Sequence, residues 1–476
     1  MTWLTAFKDK KIVVLGAGVT GLSCLRFLHG QGLSFTVNDS RVMPFATASE
    51  QAQYQTDFPK ANFIFGQWQQ NLIAHADIIV ASPGIDLVSE GITELMSTHC
   101  QVMGDIELFC LVNNSRTKPM SMLAVTGSNG KSTVVSLLAH LAKAIGINAA
   151  LAGNIGKPML DLLPLDRDSN TQSANQPEMV IVELSSFQLE TLTSMNAVAA
   201  SVLNVSDDHL DRHKTCAVYQ ALKQGVYSQA KIAVVNREDQ ATVTLEPKQK
   251  IISFGLSKPD AGHFGLAIVD MNNSENKQTL MFGEQALISL DDLPLAGMHN
   301  ALNYMAALAL GYSAGWQISA MVKELAGFTG LSHRCQRVES ADGIQWINDS
   351  KATNVGATLA AISGLAPTIT DKNKLILIAG GEGKGADFTL LKLIINSAVS
   401  QLITLGKDGD EIARLVKGAV QVSSLTEAVA QAKAIAKAGD IVLLSPACAS
   451  IDMFQNYKVR GEQFIKAVQA KEVLCR

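Results

Sequence analysis

A glycine-rich loop at residues 126–133 carries the most specific chemical pattern in the chain. Its sequence, Thr126-Gly-Ser-Asn-Gly-Lys-Ser-Thr133, follows the apolar run Met122–Val125 and precedes a stretch with helical spacing. In such loops the backbone N–H groups surround nucleotide phosphates, the lysine contacts the β- and γ-phosphates, and a hydroxyl group binds Mg²⁺. Val125 stands where the general pattern has its first glycine. Gly-Lys-Ser-Thr at a strand-to-helix junction still predicts ATP binding rather than a structural turn.

This loop assigns roles to a continuous set of residues. Lys131 is the predicted catalytic cation, because its charge would neutralise a transferred phosphoryl group. Ser132 or Thr133 would supply the hydroxyl group for Mg²⁺. The predicted ATP-binding residues are Gly127, Ser128, Asn129, Gly130, Lys131, Ser132 and Thr133.

A second glycine loop lies near the N-terminus. Gly16-Ala-Gly-Val-Thr-Gly21 follows the run Ile12–Leu15, and a second run, Ser34–Val37, is followed by Asp39. Glycines permit a tight turn there, and the helix that follows directs free N–H groups at an anion. The spacing to Asp39 matches the dinucleotide fingerprint, so the default interpretation is NAD or NADP binding. The pyrophosphate of other nucleotides, including UDP-sugars, fits the same electrostatics, and a turn needed only for packing is the alternative.

Acidic and histidine side chains follow two later apolar runs. Glu183 ends the run that begins at Met179, and His209 lies in the polar stretch Ser206–His213. The carboxyl ends of parallel strands share one edge of a sheet, where ligands bind. We therefore predict Glu183 as a Mg²⁺ ligand beside His209, against the alternatives of a solvated strand end and an ordinary loop histidine. Lys223 falls in a helical stretch, where a lysine normally faces solvent.

The elements that must position these residues follow an α/β pattern. Continuous apolar runs alternate with glycine-rich turns and longer segments of helical spacing, which is typical of parallel sheets covered on both faces by helices. The runs are Ile12–Leu15, Ile78–Val80, Met122–Val125, Met179–Val182, Ile232–Val235, Leu375–Ile378 and Ile441–Leu444.

The 476 residues are enough for about three domains. Units of a strand and a glycine loop begin near residues 11, 122 and 374. We predict an N-terminal Rossmann-like domain at 1–110, a central P-loop ATPase-like domain with a parallel sheet at 111–330, and a C-terminal Rossmann-like domain at 331–476.

Composition argues against several classes of function. The net charge of −4, with 47% hydrophobic and 17% charged residues, gives no electrostatic reason to bind nucleic acid or anionic lipid. Seven cysteines without a CxxC pair indicate free thiols in a reducing compartment. No signal-peptide pattern precedes the first apolar run, and no run approaches the ~20 residues that cross a bilayer. We therefore expect a cytoplasmic protein that binds neither nucleic acid nor membrane.

Taken in order, these segments resemble the Mur ligases, the ATP-dependent amide-bond-forming enzymes of peptidoglycan assembly. The resemblance covers essentially the whole chain and rests on several motifs together. They are Thr126–Thr133, Glu183–Ser186, Asn204–His209, Gly297–Asn300, Ser332–Arg334 and Asn348–Asn354. Within the family, Ala81–Gly84, Gly104–Phe109, Gly380–Phe388 and Leu444–Ser450 are similar to the member that adds D-glutamate to UDP-N-acetylmuramoyl-L-alanine.

The resemblance implies that the partners are small molecules, and it assigns residues to each. UDP-N-acetylmuramoyl-L-alanine would contact Val19, Thr20, Asp39, Ser40, Arg41, Gly84, Asn154 and His209. ATP would additionally contact or be covered by Asn300, Asn303, Arg334, Asp349 and Lys351. D-Glutamate would contact Thr353, Lys384, Ser450 and Tyr457.

The resemblance also implies metal chemistry and a modified lysine. Two Mg²⁺ ions would be held by Ser132, Glu183, His209 and Lys223. Lys223 would be carbamylated by CO₂, which turns a cation into an anionic metal ligand. The catalytic residues would then be Lys131, His209 and Lys223.

We further expect a monomer whose C-terminal domain closes over ATP about a hinge near residues 328–334, because closure keeps water from a reactive acyl phosphate.

Tyr457 replaces a phenylalanine of the family member, and Glu382 replaces an aspartate. Another Mur-type ligase remains an alternative, as does a folylpolyglutamate-type ligase, which would lack the Gly16–Gly21 domain. An NAD(P)-dependent dehydrogenase would leave the loop Gly127–Thr133 without a function. A nucleotide-responsive scaffold would leave the motifs Asn348–Asn354 and Gly380–Phe388 without one.

Overall fold

The computed structural model describes residues 3–164, 176–243, 249–270, 276–295, 297–370 and 373–470. Cys475, one of the seven cysteines, lies outside these ranges. The other six cysteines are free thiols, as predicted. Across the described ranges, no helix combines the length and the apolar character that a membrane crossing requires.

The N-terminal part of the chain folds around a five-stranded parallel sheet in the order β3-β2-β1-β4-β5. The strands are β1 (Ile12–Leu15), β2 (Phe35–Asp39), β3 (Ala61–Phe65), β4 (Ile78–Ala81) and β5 (Gln101–Met103). The helices are α1 (Trp3–Phe7), α2 (Val19–Gly30), α3 (Ala48–Asp57), α4 (Gln70–Ala74), α5 (Ile92–Leu95) and α6 (Asp105–Asn114). Both faces of β1 and β4 are buried, as their continuous apolar runs predict.

The central part contains a six-stranded parallel sheet in the order β11-β10-β9-β6-β8-β7. The strands are β6 (Ser121–Thr126), β7 (Ala149–Gly153), β8 (Met179–Glu183), β9 (Ala197–Val202), β10 (Ala230–Asn236) and β11 (Lys250–Phe254). The α-helices are α7 (Lys131–Ala144), α8 (Ser186–Leu189), α9 (Leu210–His213), α10 (Cys216–Gln224), α11 (Met298–Ser313) and α12 (Ile318–Glu324). Short 3₁₀ helices span Met159–Leu162, Tyr227–Gln229, Gln240–Thr242, Leu290–Asp292 and Leu325–Gly327.

A small antiparallel sheet departs from the expected parallel pattern. Its three strands are β12 (Phe264–Asp270), β13 (Asn276–Phe282) and β14 (Gln285–Ser289), joined in sequence order. The inner side chains Phe264 and Leu280 belong to the core that also covers one face of the central sheet. The apolar runs named from the sequence do not include these strands, and short connections between neighbouring strands favour antiparallel pairing.

The C-terminal part contains a third, six-stranded sheet in the order β15-β16-β20-β17-β18-β19, parallel except for β15. The strands are β15 (Gln336–Val338), β16 (Gln345–Asn348), β17 (Leu375–Gly380), β18 (Gln401–Leu405), β19 (Val420–Gln421) and β20 (Ile441–Leu444). The α-helices are α13 (Val355–Leu365), α14 (Lys392–Ala398), α15 (Gly409–Ala413), α16 (Leu425–Ile435) and α17 (Tyr457–Gln469), and 3₁₀ helices span Ala366–Thr368 and Phe388–Leu391. The predicted fold class, α/β with three parallel-sheet units, is confirmed. The domain boundaries at 110 and 330 stay predictions.

One apolar core connects the N-terminal and central sheets. It contains Phe27 and Phe109 from the first unit together with Val182 from β8. Fully burying side chains of this size stabilises the fold by about 1.5–3 kcal/mol each. The buried carboxylate of Glu107 reinforces the junction, since it accepts four hydrogen bonds from the backbone and side chains of Thr193 and Ser194. The two glycine loops are thereby held in a fixed relation.

Candidate active site

The predicted phosphate-binding loop turns from β6 into α7 at the carboxyl edge of the central sheet. Gly130 has a φ of 83°, and a Cβ there would lie 2.5 Å from Asn303 Oδ1, so the position requires glycine. The N-terminus of α7 has no side-chain cap. Its first N–H groups can therefore meet an anion. Lys131 folds over the loop and donates to the carbonyl oxygens of Gly127 (2.5 Å) and Ser128 (2.8 Å).

Two residues of the loop are engaged by the protein itself. The Ser128 N–H donates to the carbonyl of Asn204, and its Oγ bonds the backbone of Ser206. The Asn129 N–H donates to Asn204 Oδ1 at 2.8 Å. These contacts shape the loop, so the ATP contacts predicted for Ser128 and Asn129 stay predictions.

Glu183 ends β8 beside the loop and is buried. Its Oε1 accepts a hydrogen bond from Asn154 Nδ2 at 2.7 Å, whereas its Oε2 has no hydrogen-bond partner among the described residues. A buried carboxylate oxygen without a hydrogen-bond partner is energetically unfavourable unless a cation binds to it. The site therefore fits Mg²⁺, which usually takes one or two protein carboxylates and completes its shell with phosphates and water. In the described ranges no three His, Cys, Asp or Glu side chains are clustered as a metal site of their own.

Lys223 lies on α10 directly below the loop. Its helical position predicts a solvent-facing lysine, and that prediction is wrong, since the side chain is buried. Nζ donates to the carbonyl of Gly127 (3.0 Å) and lies 4.4 Å from the centre of the Tyr219 ring. Burial, followed by the charge of Lys131, lowers the pKa of Lys223 well below its usual value. A lysine in this environment is disposed to be neutral and nucleophilic.

His209 and Asp208 form the next part of the site. His209 has a left-handed backbone (φ 55°) and packs edge-on against Phe187, with ring centres 4.7 Å apart. Burial lowers the pKa of His209 to about 4, although Asp208 opposes the shift. The imidazole is therefore neutral near pH 7 and has a nitrogen lone pair for a ligand.

Side chains of the C-terminal unit reach the same place. Lys384 Nζ lies 3.5 Å from Asp208 Oδ1. Asn354 Nδ2 donates to Asn129 Oδ1 and to Asp208 Oδ2, both at 3.2 Å. Burial alone would raise the pKa of Asp208, but Lys384, His209 and Asn354 hold it below its usual value. The C-terminal unit is thus closed onto the phosphate-binding loop.

The remaining predicted ATP residues line this closed site. Asn303 donates to Asn300 Oδ1 beside Gly130. Asp349 is buried and accepts from Ser445 Oγ at 2.9 Å, and burial raises its pKa to about 7. Burial, then the charges of Arg334 and Lys131, lowers the pKa of Lys351 to about 7.

The residues predicted for D-glutamate converge at one sheet edge. Thr353, Lys384 and Ser450 follow β16, β17 and β20, which are neighbouring strands. β20 is inserted between β16 and β17, and open α/β sheets bind ligands outside the carboxyl ends of their strands. Tyr457 begins α17, and Lys351 Nζ lies 4.1 Å from the centre of its ring.

The residues predicted for the UDP moiety lie at the carboxyl edge of the N-terminal sheet. Val19 and Thr20 begin α2, whose N-terminus has no side-chain cap, and Gly84 follows β4. Ser40 and Arg41 follow β2 and are exposed. Asp39 is buried, with both oxygens bonded by the Arg41 guanidinium and one by the Ala17 N–H. Its carboxylate is therefore already engaged by protein donors, and the substrate contact predicted for Asp39 stays a prediction.

Sequence reasoning missed the contacts that Asp208 and Asn354 make at the candidate site. Both lie within quoted motifs, and the only signal for Asp208 was its place directly before His209 in a polar stretch. Their partners come from different domains, so spacing along the chain could not reveal the pairing.

We expect Glu183→Ala to raise the Mg²⁺ concentration needed for half-maximal activity at least about tenfold, because outer ligands alone change metal affinity by about 10–100-fold. The measurement is ATP turnover in a magnesium titration. Glu178→Ala serves as the control, since this exposed glutamate lies just before the same strand. An unchanged titration in the Glu183 variant would remove Glu183 from the metal site.

Models of three domain families match most of the chain. A Mur ligase MurD-like N-terminal domain matches residues 10–104, a Mur ligase middle domain matches 125–311, and a Mur ligase glutamate ligase domain matches 333–448.

Individual proteins match along their whole length. The chain is 74% identical over 476 residues to a UDP-N-acetylmuramoylalanine--D-glutamate ligase of Colwellia psychrerythraea, with 100% of each chain covered. It is 43% identical to a protein of the same name from Shewanella violacea, covering 98% of this chain and 97% of the relative. The structure of MurF ligase from Thermotoga maritima in complex with ADP superposes with a TM-score of 0.60 at 15% identity, covering 93% of this chain and 97% of the other. At that identity the superposition bears on the fold alone.

Proposed function

The chain belongs to the Mur ligase family, and from this premise we propose that it joins D-glutamate to UDP-N-acetylmuramoyl-L-alanine with hydrolysis of ATP to ADP and phosphate. The identity of 74% over the full length to a relative named for this reaction supports the choice of substrates. The product would be a precursor of peptidoglycan, made in the cytoplasm.

One structural observation carries the proposal of an ATP-dependent ligase. Lys131 from the central unit and Lys351 from the C-terminal unit both interact electrostatically with the partly unpartnered carboxylate of Glu183. Burial, and then repulsion by neighbouring cations such as Arg334, lowers the pKa values of Lys131 and Lys351. A polyanion such as ATP with Mg²⁺ relieves that repulsion, whereas a nicotinamide dehydrogenase gives these lysines no function.

The reaction needs activation of a carboxylate. An oxygen of the alanyl carboxylate attacks the γ-phosphorus of ATP, ADP leaves, and an acyl phosphate forms. The amine of D-glutamate then attacks the carbonyl carbon, loses a proton, and expels inorganic phosphate. Lys131 neutralises the transferred phosphoryl group, and the closed C-terminal unit keeps water from the acyl phosphate.

Residues of this chain divide the remaining tasks. Ser132, Glu183, His209 and a carbamylated Lys223 would hold Mg²⁺, which would neutralise negative charge on the phosphates. Asn300, Asn303, Arg334 and Asp349 would contact the nucleotide, and Thr353, Lys384, Ser450 and Tyr457 would orient D-glutamate. Val19, Thr20, Asp39, Ser40, Arg41, Gly84, Asn154 and His209 would hold the UDP-muramoyl substrate.

We also propose that domain closure occurs about the segment 328–334 in a monomer. Gly330, His333 and Cys335 have positive φ values of 94°, 64° and 44°. Non-glycine residues in this region store backbone strain, which is common where a segment must switch between conformations. The strain supports a hinge immediately before β15.

The test is phosphate release from ATP with UDP-N-acetylmuramoyl-L-alanine and a panel of amino acids that includes both enantiomers of glutamate. We expect release only with D-glutamate, together with a product heavier by one glutamyl unit. Phosphate release with another amino acid would support the ligase chemistry but contradict D-glutamate as the amino-acid substrate. No release with any acceptor would contradict the proposed function.

A further inference from the structure

Arg212 connects the N-terminal and central units next to the site. It lies on α9, three residues after His209, and its side chain is only 12% exposed. Nη1 donates to the carbonyl of Pro83 at 2.9 Å, and Nη2 donates to the carbonyl of Ile85 at 3.0 Å. Gly84, predicted to contact the UDP-muramoyl substrate, is thus bracketed by two carbonyls that Arg212 holds.

The same guanidinium is fixed from the central side. Nε donates to Glu190 Oε1 at 3.0 Å, and Nη2 reaches Glu190 Oε2. The guanidinium also lies 4.4 Å from the centre of the Phe187 ring, which packs against His209. A planar group with several donors in a fixed geometry can satisfy two carbonyls, a carboxylate and an aromatic face together, and lysine cannot.

The turn is also fixed to its own unit, where the Ile85 side chain packs against an apolar cluster and two backbone hydrogen bonds shape the turn. Ser82 N–H donates to Leu15 O, and Ile85 N–H donates to Ser82 O. A Cβ built at Gly84 would have no atom within 4 Å, so open space adjoins the middle of the turn. The turn therefore presents its backbone to that space, at a position that Arg212 sets relative to His209.

We infer that Arg212 is a positioning residue that fixes the turn Ser82–Ile85 against the central unit, so that the muramoyl substrate is bound at a set distance from the ATP loop. The inference rests on the proposed function for the identity of the substrate. It predicts a selective effect, because the hydrogen bonds and ring contact of Arg212 among the described residues go to Pro83, Ile85, Glu190 and Phe187 and not to the phosphate-binding loop or the loop of Lys384.

The experiment compares wild type, Arg212→Lys and Arg212→Met by calorimetric binding of UDP-N-acetylmuramoyl-L-alanine and by steady-state kinetics. We expect the KM and the dissociation constant for this substrate to rise about 10–100-fold, as expected for lost hydrogen bonds to a charged group. The KM values for ATP and D-glutamate should change less than about twofold. Glu190→Gln, which loosens the guanidinium, should shift the same constants in the same direction by a smaller factor.

The control is Arg237→Met, because Arg237 bonds Ser253 in the same unit far along the chain from the Pro83 turn. Absence of binding to the wild type would overturn the proposed function and this inference together. Normal binding by wild type and by both Arg212 variants would overturn the inference alone. An equal loss for all three substrates, with a lowered melting temperature, would assign Arg212 a purely structural role.

Discussion

Lys131→Ala is expected to abolish turnover, with phosphate release falling on the order of 10³-fold or more. The lysine begins α7 and already lies against the loop carbonyls of Gly127 and Ser128. ATP binding would draw the ammonium group from these carbonyls to the phosphates, where negative charge moves during phosphoryl transfer. Truncation removes that charge when the transition state needs it most.

The measurement is single-turnover and steady-state phosphate release, with ATP binding measured separately. Lys143→Ala is the matched control, since Lys143 is an exposed lysine in the last turn of the same helix. Lys131→Arg keeps the charge but not the compact ammonium group, and it should retain the fold while losing most activity. Retained turnover in Lys131→Ala would count decisively against the mechanism.

The strands and the glycine turns could be predicted because each depends on the residues of a single segment of the chain. Of the apolar runs named from the sequence, all but Ser34–Val37 lie wholly within a strand, and that run overlaps β2. Both glycine loops join a strand to a helix. A parallel strand covered on both faces requires a continuous apolar run, and a turn such as the one at Gly130 requires glycine, so a single segment carries both signals.

Contacts between distant segments could not be predicted in this way. The burial of Lys223 depends on α10 packing under the loop, and the Lys384–Asp208 contact depends on the closed C-terminal unit. Neither contact changes the hydrophobic periodicity of the sequence. A lysine in a helical segment gives the same sequence pattern whether its side chain faces solvent or a buried site. Resemblance to a family singled out Lys223, and the structure shows that its side chain is buried.

Replacing Lys223 is expected to have the second large effect, on the order of 10²–10³-fold in turnover. Under the proposed carbamylation, the buried amine would react with CO₂: a C–N bond would form at Nζ, one proton would leave to solvent, and a carbamate would remain. Its negative charge would join Glu183 in holding Mg²⁺. We therefore expect Lys223→Ala and Lys223→Arg to be almost inactive, whereas Lys223→Glu should retain more activity because it keeps an anionic ligand.

The dependence of activity on carbon dioxide distinguishes a carbamylated Lys223 from a Lys223 that acts as a simple cation. Wild-type enzyme prepared in CO₂-free buffer should lose activity and regain it with bicarbonate, and ¹³C-bicarbonate should give a carbamate resonance that Lys223→Ala lacks. Lys231→Ala, at an exposed lysine on β10, should behave as wild type. If activity ignored CO₂ and Lys223→Arg outperformed Lys223→Glu, the lysine would act as a cation, and the anionic ligand beside Glu183 would have to come from the substrates.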